Sequence, residues 1–273
     1  MVGLSSTLPP MTRRLHASRP LNQFMWISAA GIIIQAVFLI LALVSPNSGW
    51  TVLCMYSLPM VPLLVGLCGL SAARQSEASV GKWPLGTGFL VIIGGAGFDL
   101  FATLWNSPDL SSEANVPLRI LLDSRHSLQT VYIYGLIVNI LFTTLFCILW
   151  WAILKHVRVV AQAIEEHHPE SLCDFLKAAT GGGHLTIRQW LWPLRLSELP
   201  VLYFWIWPTI AAVIGSASAL RWYAGLEWFN VVSASLAGRA IVLTSTAMLT
   251  LVAYFFALHR ILQSRHAKSD CAA

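Results

Sequence analysis

Ionisable side chains are rare in the apolar parts of this sequence, so each one is informative. Asp99 is the only carboxylate well inside an apolar stretch, GFLVIIGGAGFDLFATLW. A carboxylate in hydrocarbon is costly and marks either an ion or proton site or a buried pairing. Arg239 enters a second apolar stretch a few residues from the same outer surface, and its long side chain reaches Asp99 if the two spans touch. Asp99 and Arg239 are therefore the candidate intramembrane polar pair. A structural use, as an ion pair or a wet vestibule, is preferred to a proton pathway. Such pathways draw on several ionisable groups, and here there is one. Gln35 and Asn139 are expected to hydrogen-bond between helices.

A second group, Glu165, Glu166, His167, His168, Cys173 and His184, has the composition of a metal site. Glu165 and His168 have Glu-x-x-His spacing. Di-iron bundles need two such motifs and two further glutamates facing inward, and only one copy is present. His167 and His168 would point about 100° apart on a helix, and zinc-finger spacing is absent. No metal is expected. Glu165, Glu166, His167 and His168 instead read as a solvated helix end and a partner-docking surface. Gly181-Gly182-Gly183 lacks the Lys-Ser/Thr of a phosphate loop and reads as a joint. Ser216 and Ser218 have no histidine in the same stretch to activate them. Nucleophile, base and metal ligands do not converge anywhere, and no cofactor is expected.

The elements that hold these groups follow from composition. The chain has 273 residues, 56% hydrophobic and 11% charged, with mean hydropathy +0.68. A soluble domain carries roughly 25% charged residues, so a water-soluble enzyme or binding module is excluded. Disorder is excluded because it needs low hydrophobicity. Six stretches reach the roughly 20 apolar residues of a membrane span: 24–45, 51–72, 85–106, 131–154, 199–220 and 236–259. Their continuous apolarity excludes the alternating strands of an outer-membrane barrel. The expected fold is an all-α polytopic membrane protein with six transmembrane helices and a short cytoplasmic helical segment between helices four and five. The first span reads as a retained signal anchor.

Charge sets the orientation. With the N-terminus inside, Arg13, Arg14, Arg19, Arg74, Lys82, Lys155, Arg158, Lys177, Arg188, Arg195, Arg260, Arg265 and Lys268 are inside. Arg119, Arg125 and Arg221 are outside. That is 13 against 3, and the positive-inside rule places both termini in the cytoplasm. The net charge of +5 thus needs no nucleic-acid partner. Five cysteines form no exposed pair and hence no disulfide framework. The absence of an Asn-x-Ser/Thr sequon leaves a bacterial inner membrane as the default.

Five regions result: a cytoplasmic arm, 1–23; helices one to four, 24–154, with an outer loop at 107–130; a cytoplasmic and interfacial segment, 155–198; helices five and six, 199–259; and a basic tail, 260–273. A turn at 46–50 makes the first two spans a hairpin. Pro59 and Pro62 bend the second span. Glycines 86, 88, 94, 95 and 97 in the third span, and Ala211, Gly215 and Ala219 in the fifth, suit close helix packing. The outer loop is expected to hold a short surface helix. Val157, Val160, Ala161 and Ile164 continue one face of the fourth helix, and an apolar face projecting past lipid needs a cover. Within 185–196, Arg188, Trp190, Trp192 and Arg195 read as an interfacial anchor on membrane lipid. Tryptophans at the span ends form an aromatic belt.

The leading expectation is a non-enzymatic inner-membrane subunit or scaffold of a larger assembly, of the secretion, conjugation or envelope type. It would dock other membrane-protein subunits through its cytoplasmic segment. The runner-up is a small-solute or ion permease using Asp99. The third is a membrane-embedded enzyme. The permease reading is weakened by the lack of an internal repeat.

Overall fold

A computed structural model describes residues 19–45, 49–110, 116–124, 126–165 and 260. The spans at 199–220 and 236–259, with Arg239, lie outside the described residues. So do Glu166, His167, His168, Arg188, Trp190, Trp192 and Arg195.

The described chain forms helices α1 (Arg19–Val44), α2 (Gly49–Gln75), α3 (Lys82–Asn106), α4 (Val116–Asp123) and α5 (Leu128–Glu165). Four of them are long and apolar enough to cross a membrane: α1, α2, α3 and α5. Together they define a multi-pass helical membrane protein. Its outward surfaces are aliphatic. Ile33, Ile40, Val44, Leu64, Leu67 and Leu90 are all exposed, as lipid-facing side chains must be. On α3 the exposed Trp83 and Trp105 stand 22 residues apart. At 1.5 Å per residue that is about 33 Å, close to the roughly 30 Å of bilayer hydrocarbon.

Helix α1 starts earlier than the expected first span, whereas α5 continues past the expected fourth span as the sequence predicts. Helix α1 begins at Arg19 rather than at 24, because Leu21, Phe24 and Met25 are fully packed core residues. Helix α5 runs unbroken to Glu165, about 57 Å at the helical rise. Its extension keeps an apolar face covered. Val157 and Ala161 share one buried cluster with Leu21, Phe24, Leu149 and Ile153.

Contacts fix the arrangement. Phe24 meets Gly69, Val65 meets Gly31, Gln35 reaches Ser57, and Phe38 pairs with Trp50 at 6.3 Å. Residue numbers fall on α1 as they rise on α2, so these two helices are antiparallel. Tyr134 meets Met55, Ile148 meets Gly69 and Lys155 meets Ser76. Here both numbers rise together, so α2 and α5 run parallel. Trp150 meets Pro84, and Asp99 shares a cavity with Tyr132 and Asn139. Helices α3 and α5 are therefore antiparallel. The array is α1–α2–α5–α3, with α4 laid on α5.

Glycine lets two of these crossings close. A Cβ on Gly69 would stand 2.5 Å from Phe24 and 2.7 Å from Ile148, where α1, α2 and α5 meet. A Cβ on Gly88 would collide with the Trp150 indole. In lipid no hydrophobic effect drives helices together, so close van der Waals contact must do so. Three other glycines of α3 behave differently. Gly86, Gly94 and Gly97 have no described neighbour within reach.

Candidate functional site: a polar cavity between α2, α3 and α5

Proline sets the shape of the site. A helical carbonyl accepts from the N–H four residues on, and Pro59 and Pro62 have no N–H. The carbonyls of Met55 and Leu58 thus lose their helical donors within α2. The Tyr134 hydroxyl donates to the Met55 carbonyl at 2.7 Å. On the other flank the Gln35 amide donates to the Ser57 carbonyl. The bent turn is held from α5 on one side and from α1 on the other. Gln35 therefore makes the interhelical bond expected of it. Asn139 bonds within its own helix, accepting from the Thr143 hydroxyl at 3.4 Å.

Next to this bend lies a cavity of about 290 Å³. Asp99 and Thr103, one turn apart, supply its α3 wall. Tyr132, Tyr134, Gly135 and Asn139 supply its α5 wall. Leu58 from α2 closes one side, with Leu110 and Leu118 above. Leu118 sits directly over Gly135, where a Cβ would come within 3.1 Å of it. Leu110 holds a left-handed backbone, φ 55°, a conformation that costs a branched residue energy. Burial of its side chain at 4% exposure keeps it there. The cavity thus gathers a carboxylate, a carboxamide, a hydroxyl and two phenols in an otherwise apolar protein.

Asp99 is half-buried and lines this cavity. Its expected partner Arg239 lies outside the described residues. Glu165 is the last residue of α5. The sequence did not point to Tyr132, Tyr134 or Thr103. Their spacing to Asp99 is long range, and aromatic residues near a span end read first as belt.

A second, apolar cleft of about 240 Å³ lies between α1, α2 and α5, lined by Ile32, Val61, Pro62, Val65 and Leu145 among others. Leu58 and Phe142 border both spaces.

At the opposite, basic end of the bundle, Lys155 is buried at 8% exposure. Its ammonium donates to the carbonyls of Ala73 and Ser76 and lies 5.0 Å from the centre of the Trp151 ring. The sequence had placed Lys155 only as one of the inside charges. Among the described residues no three His, Cys, Asp or Glu side chains gather as a metal site would require. Comparison with protein-family models, with curated proteins and with solved structures yields no match.

Proposed function

We propose that this multi-pass protein binds a small organic cation of the primary-ammonium kind in the cavity that carries Asp99. The reading is that of a non-enzymatic permease or receptor for such a solute in the cell inner membrane, with both termini cytoplasmic. What carries it is the lining of the cavity: one carboxylate beside Asn139, Thr103, Tyr132 and Tyr134. A carboxylate meets an ammonium through charge-assisted hydrogen bonds. Asn139 and Thr103 offer neutral acceptors. Aromatic rings in the lining are compatible with a cation, which an aromatic face attracts in a dry setting. Hard metal ions prefer six or more oxygens without aromatic walls. By the positive-inside rule the end of α3 that carries Asp99 is the outer end, the side from which a solute would arrive.

The test is equilibrium binding of methylammonium to the purified full chain in lipid nanodiscs. Saturable binding is expected, with sodium competing weakly. A hydrogen bond to a charged group contributes about 1.5–3 kcal/mol, so Asp99→Asn should weaken binding roughly ten- to hundredfold. Unchanged affinity in that variant would overturn the reading.

A second reading is a subunit of a larger membrane assembly, docking other membrane proteins through Glu165, Glu166, His167 and His168. The support is the length of α5, roughly 25 Å more than the hydrocarbon needs. The helix passes the end of its apolar window at Val159 and runs on to Glu165. Here Glu165→Lys with Glu166→Lys should release co-purifying subunits while methylammonium binding persists.

A further inference from the structure

Tyr134 belongs to two structures at once. Its side chain lines the cavity with Asp99, and its hydroxyl donates to the Met55 carbonyl at 2.7 Å. That carbonyl is the one Pro59 cannot serve, since proline has no N–H. A carbonyl screened from water needs a donor, so the proline-containing turn of α2 is braced by the hydroxyl of a residue that also lines the cavity.

We propose that Tyr134 is a positioning residue that couples occupancy of the cavity to the bend of α2. The inference rests on the ammonium-binding reading above and names how that site is transmitted. A phenol oxygen donates one proton and keeps lone pairs to accept. An ammonium guest that donates to the Tyr134 oxygen polarises its O–H and strengthens the bond to Met55, since chained hydrogen bonds reinforce one another. Occupancy therefore tightens the bent turn, and an empty cavity leaves it on a weaker bond. Within α2 the i+4 donor that would otherwise serve the Met55 carbonyl is missing, because that residue is Pro59. Gln35 anchors the adjacent Ser57 carbonyl from α1, so tightening at Met55 draws α2 toward α5 against a fixed flank. Leu58, three residues beyond Met55, borders both the cavity and the apolar cleft behind it. The turn that Tyr134 holds thus carries one of the side chains that border both spaces.

The coupling is read by amide hydrogen exchange over residues 56–62 of the full chain in nanodiscs, with and without saturating methylammonium. In the unaltered protein the ligand should slow exchange of Met60 and Val61 about tenfold. Tyr134→Phe keeps the ring and removes the hydroxyl, and the ligand-dependent slowing should vanish even at saturation. Pro59→Ala restores the N–H to the Met55 carbonyl. It should make exchange slow with or without ligand, while methylammonium still binds. This second variant keeps the test open should Tyr134→Phe fold poorly. Equal ligand-dependent slowing in all three proteins overturns the coupling and leaves the binding reading standing. No saturable methylammonium binding to the unaltered protein overturns both.

Discussion

The ammonium of Lys155 donates to the carbonyl of Ser76 at 2.7 Å, one residue past the end of α2, and also to the carbonyl of Ala73. A helix ends in four carbonyls without intrahelical donors, and its C-terminus carries partial negative charge. Lys155 answers both needs from a neighbouring helix. The parallel run of α2 and α5 brings it there, since the same face that carries Tyr134 to Met55 carries Lys155 to the end of α2.

Lys155→Met should therefore strip the donor from two carbonyls while keeping most of the side-chain volume. Leaving a buried acceptor unmet costs about 1–3 kcal/mol. Thermal unfolding in nanodiscs should show a loss of that size, and Lys155→Arg should recover most of it. A Lys155→Met protein as stable as the parent would refute the cap.

The bend of α2 has its own energetic signature. Tyr134→Phe should cost about 1–3 kcal/mol, because it orphans the Met55 carbonyl. In a Pro59→Ala background that carbonyl regains its helical donor, and the same Tyr134→Phe change should cost well under half as much. Equal costs in the two backgrounds, measured as a double-mutant cycle, would show that the hydroxyl does not serve the carbonyl.

Glycines on α2 and α3 should separate into two kinds. Gly69→Ala and Gly88→Ala force a methyl into Phe24 and Ile148, or into Trp150, and overpacking of this kind typically costs about 1–3 kcal/mol. Gly94→Ala meets no described neighbour and should be neutral or stabilising by up to about 1 kcal/mol through helix propensity. Unfolding midpoints for the three variants decide the matter. A destabilising Gly94→Ala would place another helix against that face.

Orientation can be read from two exposed loop positions. With the basic end inside, Ser127→Cys should react with a membrane-impermeant maleimide on intact cells. Ser79→Cys should react only after permeabilisation. The reverse pattern would overturn the assignment made from the 13-to-3 distribution of Lys and Arg.

Hydropathy along the chain suffices to identify a helical membrane protein and to locate four of its long apolar helices. Each of the stretches 24–45, 51–72, 85–106 and 131–154 overlaps a long apolar helix, because hydrocarbon demands an unbroken apolar run with every backbone group bonded internally. The sequence also marked Asp99, since one charge among so many apolar residues stands out at any register, and Pro59 and Pro62, since a missing N–H is a covalent fact. Which side of each helix turns inward was not legible. In water an amphipathic stripe tells core from surface. In lipid both faces are apolar, so the inward positions of Tyr134, Leu145 and Gly88 look like their lipid-facing neighbours. Tyr134 and Met55 are 79 residues apart, as are Lys155 and Ser76. Only the parallel packing of α2 on α5 brought each pair together, and with them the cavity, the braced bend and the buried lysine. A pattern of residue types along one helix carries no record of which helix will stand beside it.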